Sequence, residues 1–177
     1  MKSRRRPYYD AARYPELAGI RERWRDLGPE AKAVVDTLGT HMEKVGPTYV
    51  IPLVPVPEDR APEVEWLYAK ARELAPTITS LVSAVPYIVS FAISRLVPGT
   101  DIPIHEHWNP HLVAMLCLQG GAGCHVTVGG ERRDFVDGEY IVFDYTLPHG
   151  SRNEGTEERI VLLMIIEPKL ARPFMRE

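Results

Sequence analysis

Five of the six histidines in this 177-residue chain lie between His105 and His149. His105 and His107 are two residues apart, His111 follows four residues later, and His149 precedes Arg159 by ten. Side chains two apart on a strand point to the same face. His105 and His107 can therefore share one ion, and a later strand can bring His149 across to them. Neutral imidazoles suit iron, zinc, nickel and copper. The chemistry suggested is that of a transition-metal centre held by His105, His107 and His149, with His111 as a candidate fourth ligand. A lone histidine is more often structural, but four beside predicted strands and turns are a different signal. His41 falls in a predicted helix and is expected at the surface, and His125 falls on a hairpin and is expected to be structural.

The spacing is more specific than the count. From Gly99 the chain runs five residues to His105, one to His107 and three to His111; from Gly138 it places Asp144, Thr146, His149 and Asn153 at fixed offsets. The metal pattern of cupin barrels reads G-x5-H-x-H-x3-E, then G-x5-P-x-G-x2-H-x3-N. The first half matches with His111 in the Glu position. The second matches in spacing, with Asp144 and Thr146 replacing Pro and Gly. Glu106, between the two histidines, is expected on the opposite face, toward solvent or an arginine.

Arg159 is the second informative residue, because it opens a run, Ile160 to Ile166, that is otherwise apolar. A charge is rarely buried without a partner. Arg159 is either an edge arginine paired with Glu158 or Glu131, or a fork that binds a carboxylate through two parallel hydrogen bonds. A 2-oxo acid cosubstrate needs two anchors, a metal at its keto-acid end and a cation at its distal carboxylate. His149 and Arg159 would supply both from neighbouring strands. The aromatics nearby, Trp108, Tyr140 and Tyr145, suit core or wall as well as chemistry.

These side chains need a scaffold, and the pattern supplies one in two halves. Tyr14 to Leu27 carries apolar residues at helical spacing, at Leu17, Ile20, Trp24 and Leu27, and Gly28-Pro29 is expected to break it. Glu30 to Val45 predicts a second helix, Glu63 to Ala75 a third and Thr77 to Val85 a fourth. Between 47 and 62 five prolines exclude a regular helix or a central strand. From Tyr87 onward the pattern is β. Tyr87, Val89, Phe91 and Ile93 alternate with Ser90, Ala92 and Ser94, which predicts a half-buried strand. Leu112 to Leu118 follows, then a hairpin about Gly129-Gly130, then Tyr140 to Phe143, and Arg159 to Ile166 as a central strand. The expectation is one domain, 1–177, with a mainly helical N-terminal layer (1–86) and a β core (87–170). The fold class is mainly β with N-terminal helices, a cupin-like double-stranded β-helix or jelly-roll barrel.

Composition excludes several classes. Hydrophobic residues make up 45% of the chain, and 21 basic against 24 acidic residues give a net charge of −3. Nothing there favours nucleic acid. No window reaches the length of a membrane span. The basic run Lys2 to Arg6 is followed by no apolar segment and reads as a solvated tail. Without an export signal, Cys117 and Cys124 read as reduced thiols in the cytoplasm.

Beyond the cupin spacing, the chain resembles the aspartyl/asparaginyl β-hydroxylase family over most of its length. The entry segment Tyr8-Tyr9-Asp10 through Tyr14-Pro15-Glu16-Leu17 and Trp24 is similar, as is Phe91 to Thr100. So are Ile102 to His105, Gly123-Cys124, Gly138, Phe143-Asp144 through His149, and Arg159 to Leu162. The resemblance implies a double-stranded β-helix and an Fe(II)- and 2-oxoglutarate-dependent hydroxylase of aspartyl, asparaginyl or related small or lipid substrates. It implies that His149 is the distal iron ligand and that Arg159 binds 2-oxoglutarate. One stretch departs from it. The family's Arg-x-His-Leu-Gly run, aligned through Asn109 and Leu112, puts Met115 where the proximal histidine belongs and Val113 where its arginine belongs. The extra histidines at 107 and 111 favour a relocated centre. The reading is an oxygenase acting on a small-molecule, amino-acid-like or peptidyl substrate. A cosubstrate-free metal dioxygenase or isomerase and a non-enzymatic ligand-binding cupin are the alternatives. Cupin-type barrels often pair through an edge strand, which leaves a homodimer open.

Overall fold

The structure is a computed structural model that describes residues 6–41, 48–57 and 61–176. Among the described residues, ten strands form two antiparallel sheets. They are β1 (Tyr8–Tyr9), β2 (Thr48–Val54), β3 (Ile88–Leu96), β4 (Asp101–His105), β5 (Leu112–Gln119), β6 (Cys124–Val128), β7 (Glu131–Asp134), β8 (Tyr140–Asp144), β9 (His149–Asn153) and β10 (Arg159–Ile166). One sheet runs β1-β8-β5-β10-β3-β2 and the other β4-β9-β6-β7. Strands β3 to β10 thus fold over as a double-stranded β-helix, with four strands in each wall. The apolar closing run is indeed the central strand β10, flanked by β3 and β5.

Local chemistry explains the turns. β6 and β7 meet at Gly129 and Gly130, whose φ values of 56° and 85° are those of a two-residue hairpin turn that other residues adopt only with strain. β2 contains Pro52 and is an edge strand, as the missing N–H requires.

Helices α1 (Pro15–Glu22), α2 (Trp24–Leu38), α3 (Glu65–Leu74) and α4 (Pro76–Ser83) cover the outer face of the larger sheet, and a short α5 (Pro168–Ala171) follows β10. The first two boundaries differ from expectation. The chain breaks at Arg23, and α2 continues through Gly28-Pro29. The missing N–H of Pro29 leaves a carbonyl near the exposed Arg25, where water can serve it. Leu27, Ala31, Val34, Val35 and Leu38 meanwhile form one buried stripe. That burial outweighs an interior proline, which costs about 3 kcal/mol. The expected extension of this helix to Val45 falls partly outside the described residues, as does most of the basic N-terminal run. The N-terminal part is also less purely helical than expected, because β1 and β2 extend the larger sheet at its two edges.

Two apolar clusters result. One lies between helices and sheet, around Leu17, Leu27, Val34, Ile93, Leu116 and Leu162. The other fills the barrel with Val113, Met115, Cys117, Val126, Val128, Phe143 and Val161. With cover on both faces, β3 is buried on both sides through its centre, Ser90 and Ser94 included, and is not a half-exposed strand.

Candidate metal centre

His105 closes β4 and His149 opens β9, and the two are paired in register. His107 lies two residues past the end of β4, in an irregular segment. The nitrogens these three rings offer lie within 4.8 Å of one another. The ring centroids of His105 and His149 are 4.4 Å apart, those of His105 and His107 5.1 Å, and those of His107 and His149 5.5 Å. The expected trio therefore converges, from a strand end, a strand start and the loop between β4 and β5.

Two of the rings are oriented by backbone. Nδ1 of His105 lies 2.8 Å from the carbonyl of Pro103, and Nδ1 of His149 lies 2.7 Å from that of Leu147. Each Nδ1–H donates to its carbonyl, which leaves Nε2 as the lone-pair nitrogen of the neutral ring. Burial, and then the neighbouring His105 and His149, hold the pKa of His107 down to about 4. Burial also lowers that of His149, against the opposing pull of the Leu147 carbonyl. At neutral pH both rings are unprotonated, as metal ligation requires. The donor set fits a borderline transition metal such as iron or zinc.

His111 is not in this group. Its Nε2 lies 3.2 Å from a carboxylate oxygen of Glu167, on the far side of the loop. The spacing put His111 in line with a ligand position, but Pro110 and the turn at Asn109 send the chain into β5 with the ring facing away. Glu106 is exposed, as expected of the residue between the pair. His125 faces Glu154 at 3.8 Å, outside the barrel. Met115 points into the barrel among apolar neighbours.

Arg159 is fully buried in the same barrel. Its Nη1 donates to Ser151 Oγ at 2.7 Å, and its guanidinium lies 4.7 Å from the centre of the Phe135 ring. Nε and Nη2 have no hydrogen-bond partner among the described residues. Glu158 is engaged elsewhere, 2.6 Å from Arg95 and 3.6 Å from Lys32, so the edge-arginine reading does not hold. Burial pulls the Arg159 pKa down to about 10, partly offset by the Cys117 and Cys124 sulfurs. Both cysteines are buried free thiols. Ser151 lies two residues along β9 from His149 and in turn donates to the His125 carbonyl at 2.7 Å. One strand thus carries both a triad histidine and the hydroxyl that anchors the arginine. Leu163, in the middle of the central strand and packed on the barrel cluster, keeps partial exposure.

Sequence reasoning missed Ser151 and left Tyr145 undecided. Ser151 carried a usable signal, since it sits at His149 plus two and so shares its face. The Tyr145 ring lies 3.9 Å from that of His107 at an interplanar angle of 12°, a contact no spacing rule predicts. Among the described residues no helix is long and apolar enough to cross a membrane.

Comparison with known proteins gives the chain's relatives. Aspartate beta-hydroxylase domain-containing protein 2 of Rattus norvegicus is 36% identical over 78 residues, and its Homo sapiens counterpart 35%; each match covers 41% of this chain. The matched region spans 22% and 21% of those relatives' length, so the chain corresponds to about a fifth of each. Among solved structures, a Cupin_2 domain of an XRE family transcriptional regulator from Enterobacter cloacae shows a TM-score of 0.46 at 16% identity, covering 70% of this chain and 99% of that one. The Schizosaccharomyces pombe Cnp3 cupin domain shows 0.42 at 15% identity, covering 50% and 61%. The family model for aspartyl/asparaginyl beta-hydroxylase matches residues 64–168, which include all three converging histidines and Arg159, and so the chain belongs to the aspartyl/asparaginyl β-hydroxylase family.

Proposed function

We propose that this chain is a non-haem Fe(II)-dependent oxygenase, a 2-oxoglutarate-dependent hydroxylase acting on an amino-acid-like, peptidyl or other small substrate. Three histidines, His105, His107 and His149, would hold the metal, and Arg159 would hold the distal carboxylate of the cosubstrate. The observation that carries this reading is Arg159. A buried guanidinium with two unpaired donors is an unfinished ion pair, and such groups are tolerated where a ligand completes them. It stands in the barrel that bears the triad, beside a serine on the triad's own strand.

Iron(II) in the triad would supply the one-electron and O2 chemistry that C–H hydroxylation needs. The chain's residues do the rest. Neutral imidazoles bind without competing protons. The Pro103 and Leu147 carbonyls fix two of the three rings. The guanidinium would donate from its Nε–H and Nη2–H edge to a carboxylate, while Ser151 Oγ accepts from Nη1. The apolar residues Val113, Met115, Val126, Phe143 and Val161 line the barrel interior behind the triad.

Met115 favours a second reading. It stands inside the barrel where the family's run carries a ligand, and a three-histidine set replaces it. Such a centre also suits a cosubstrate-free dioxygenase, in which Arg159 fixes the carboxylate of the substrate itself. Anaerobic titration of iron-loaded protein with 2-oxoglutarate, and assay of succinate release, separate the two. Binding by wild type that is lost in Arg159→Ala, and weakened less in Arg159→Lys, supports the hydroxylase. No binding to wild type overturns it in favour of the cosubstrate-free enzyme.

A further inference from the structure

The three histidines are not held alike. His105 and His149 each rest on a backbone carbonyl two residues upstream. His107 has no ring hydrogen bond among the described residues, and no strand ladder fixes its backbone, since β4 ends at His105. Its ring instead lies flat on that of Tyr145, with centroids 3.9 Å apart and planes 12° from parallel. Tyr145 comes from the β8–β9 turn, which hydrogen bonds brace. Asp144 Oδ1 accepts from Thr146 N at 2.9 Å and from Thr146 Oγ1 at 2.6 Å. The Tyr145 N–H donates to the His111 carbonyl at 3.1 Å, tying this turn to the far end of the histidine-bearing loop. The turn backbone is thus braced, the Tyr145 side chain packs against the barrel cluster, and the imidazole lies on its ring.

We propose that Tyr145 is a positioning residue, which holds the His107 ring by stacking in the plane that points its free nitrogen at His105 and His149. The stack does for His107 what a carbonyl does for the other two. The stack uses the ring face. The proposal rests on the reading of the triad as a metal centre. A neighbour that orients a ligand affects metal affinity by roughly 10- to 100-fold when removed. A residue that merely fills space would change fold stability and leave affinity alone.

The test uses cobalt(II) as the probe, titrated into metal-free full-length wild type, Tyr145→Phe, Tyr145→Leu and His107→Ala. Affinity is read by calorimetry, the ligand set by the visible spectrum, and folding by thermal melting of the metal-free proteins. Tyr145→Phe is expected to match wild type. Tyr145→Leu, which fills the space without a flat ring, is expected to bind about 10- to 100-fold more weakly, with a spectrum moved toward that of His107→Ala. Wild-type affinity and spectrum in Tyr145→Leu overturn the proposal, as does an equal loss in Tyr145→Phe, which would assign the role to the hydroxyl. Absence of cobalt binding by wild type would instead sink the metal centre itself. If Tyr145→Leu melts before titration is complete, Tyr145→Met is read by the same criteria.

Discussion

Replacing Arg159 by methionine should make the metal-free protein more stable while lowering its affinity for a carboxylate. Arg159 has no exposed surface and makes one hydrogen bond, to a neutral hydroxyl. Burial depresses its pKa from 12.5 to about 10; the group stays charged at neutral pH, and burying that charge costs about 3 kcal/mol relative to the unfolded chain. Some of this is offset by the Phe135 ring, since a desolvated cation–π contact contributes about 2 kcal/mol. Methionine has a similar length and no charge, and it can pack on the same ring. Replacing buried ionic groups by apolar ones of like volume is often neutral or stabilising by about 1–4 kcal/mol. A gain of about 1–3 kcal/mol is expected, and each kcal/mol raises the melting temperature by about 2–4 °C at this chain length. Ser151 keeps its own acceptor, the His125 carbonyl, so no new orphan is created. The assay is calorimetric or denaturant unfolding of wild type and Arg159→Met, beside anaerobic 2-oxoglutarate titration. Loss of a charge-assisted bond to a buried carboxylate costs about 1.5–3 kcal/mol, or roughly ten- to a hundredfold in affinity. Destabilisation of Arg159→Met by more than about 1 kcal/mol would refute the reasoning, because the arginine would then be a structural member of the core.

Other outcomes follow from the same geometry. His149→Ala should abolish metal binding, read by elemental analysis of protein purified beside wild type; undiminished metal would sink the assignment. His107→Ala should strip the metal with the fold intact, whereas Met115→Leu should cost under about 1.5 kcal/mol and leave metal content unchanged. Gly150→Ala should weaken both fold and metal site, because a Cβ there would stand 2.7 Å from the Ile102 carbonyl oxygen and 3.1 Å from Ile104 N. It would push β4, and His105 with it, away from β9, and melting and cobalt titration read the two effects. For pH, the folded pKa of His107 lies near 4, below its ordinary 6.5. The unfolded chain therefore takes up a proton first, and the stability of metal-free protein should fall as pH is lowered from about 6.5 to about 4. His107→Gln should flatten that slope; an unchanged slope would place the titrating group elsewhere.

The sequence alone showed the fold class, the members of the trio and the central place of β10, although His107 converges from the irregular segment past β4 and not from a strand. These depend on local rules. Side chains alternate along a strand, glycines sit where φ must be positive, and an apolar run must be covered on both faces. It determined too that Arg159 was anomalous, since a charge heading Ile160 to Ile166 has no exposed strand face to occupy. Tertiary structure decided what those rules leave open. His111 had the spacing of a ligand, but the loop after His107 turns its ring to Glu167. Gly28-Pro29 had the signature of a helix end, but the stripe from Leu27 to Leu38 had a sheet to lie against. Glu158 stood beside Arg159 in sequence and pairs with Arg95 in space, because neighbours on a strand face opposite ways. Tyr145 reaches His107 only because β8 and β4 belong to opposite walls of one barrel. Periodicity fixes which face a side chain takes; which partner it meets across the barrel depends on packing between segments far apart in the chain.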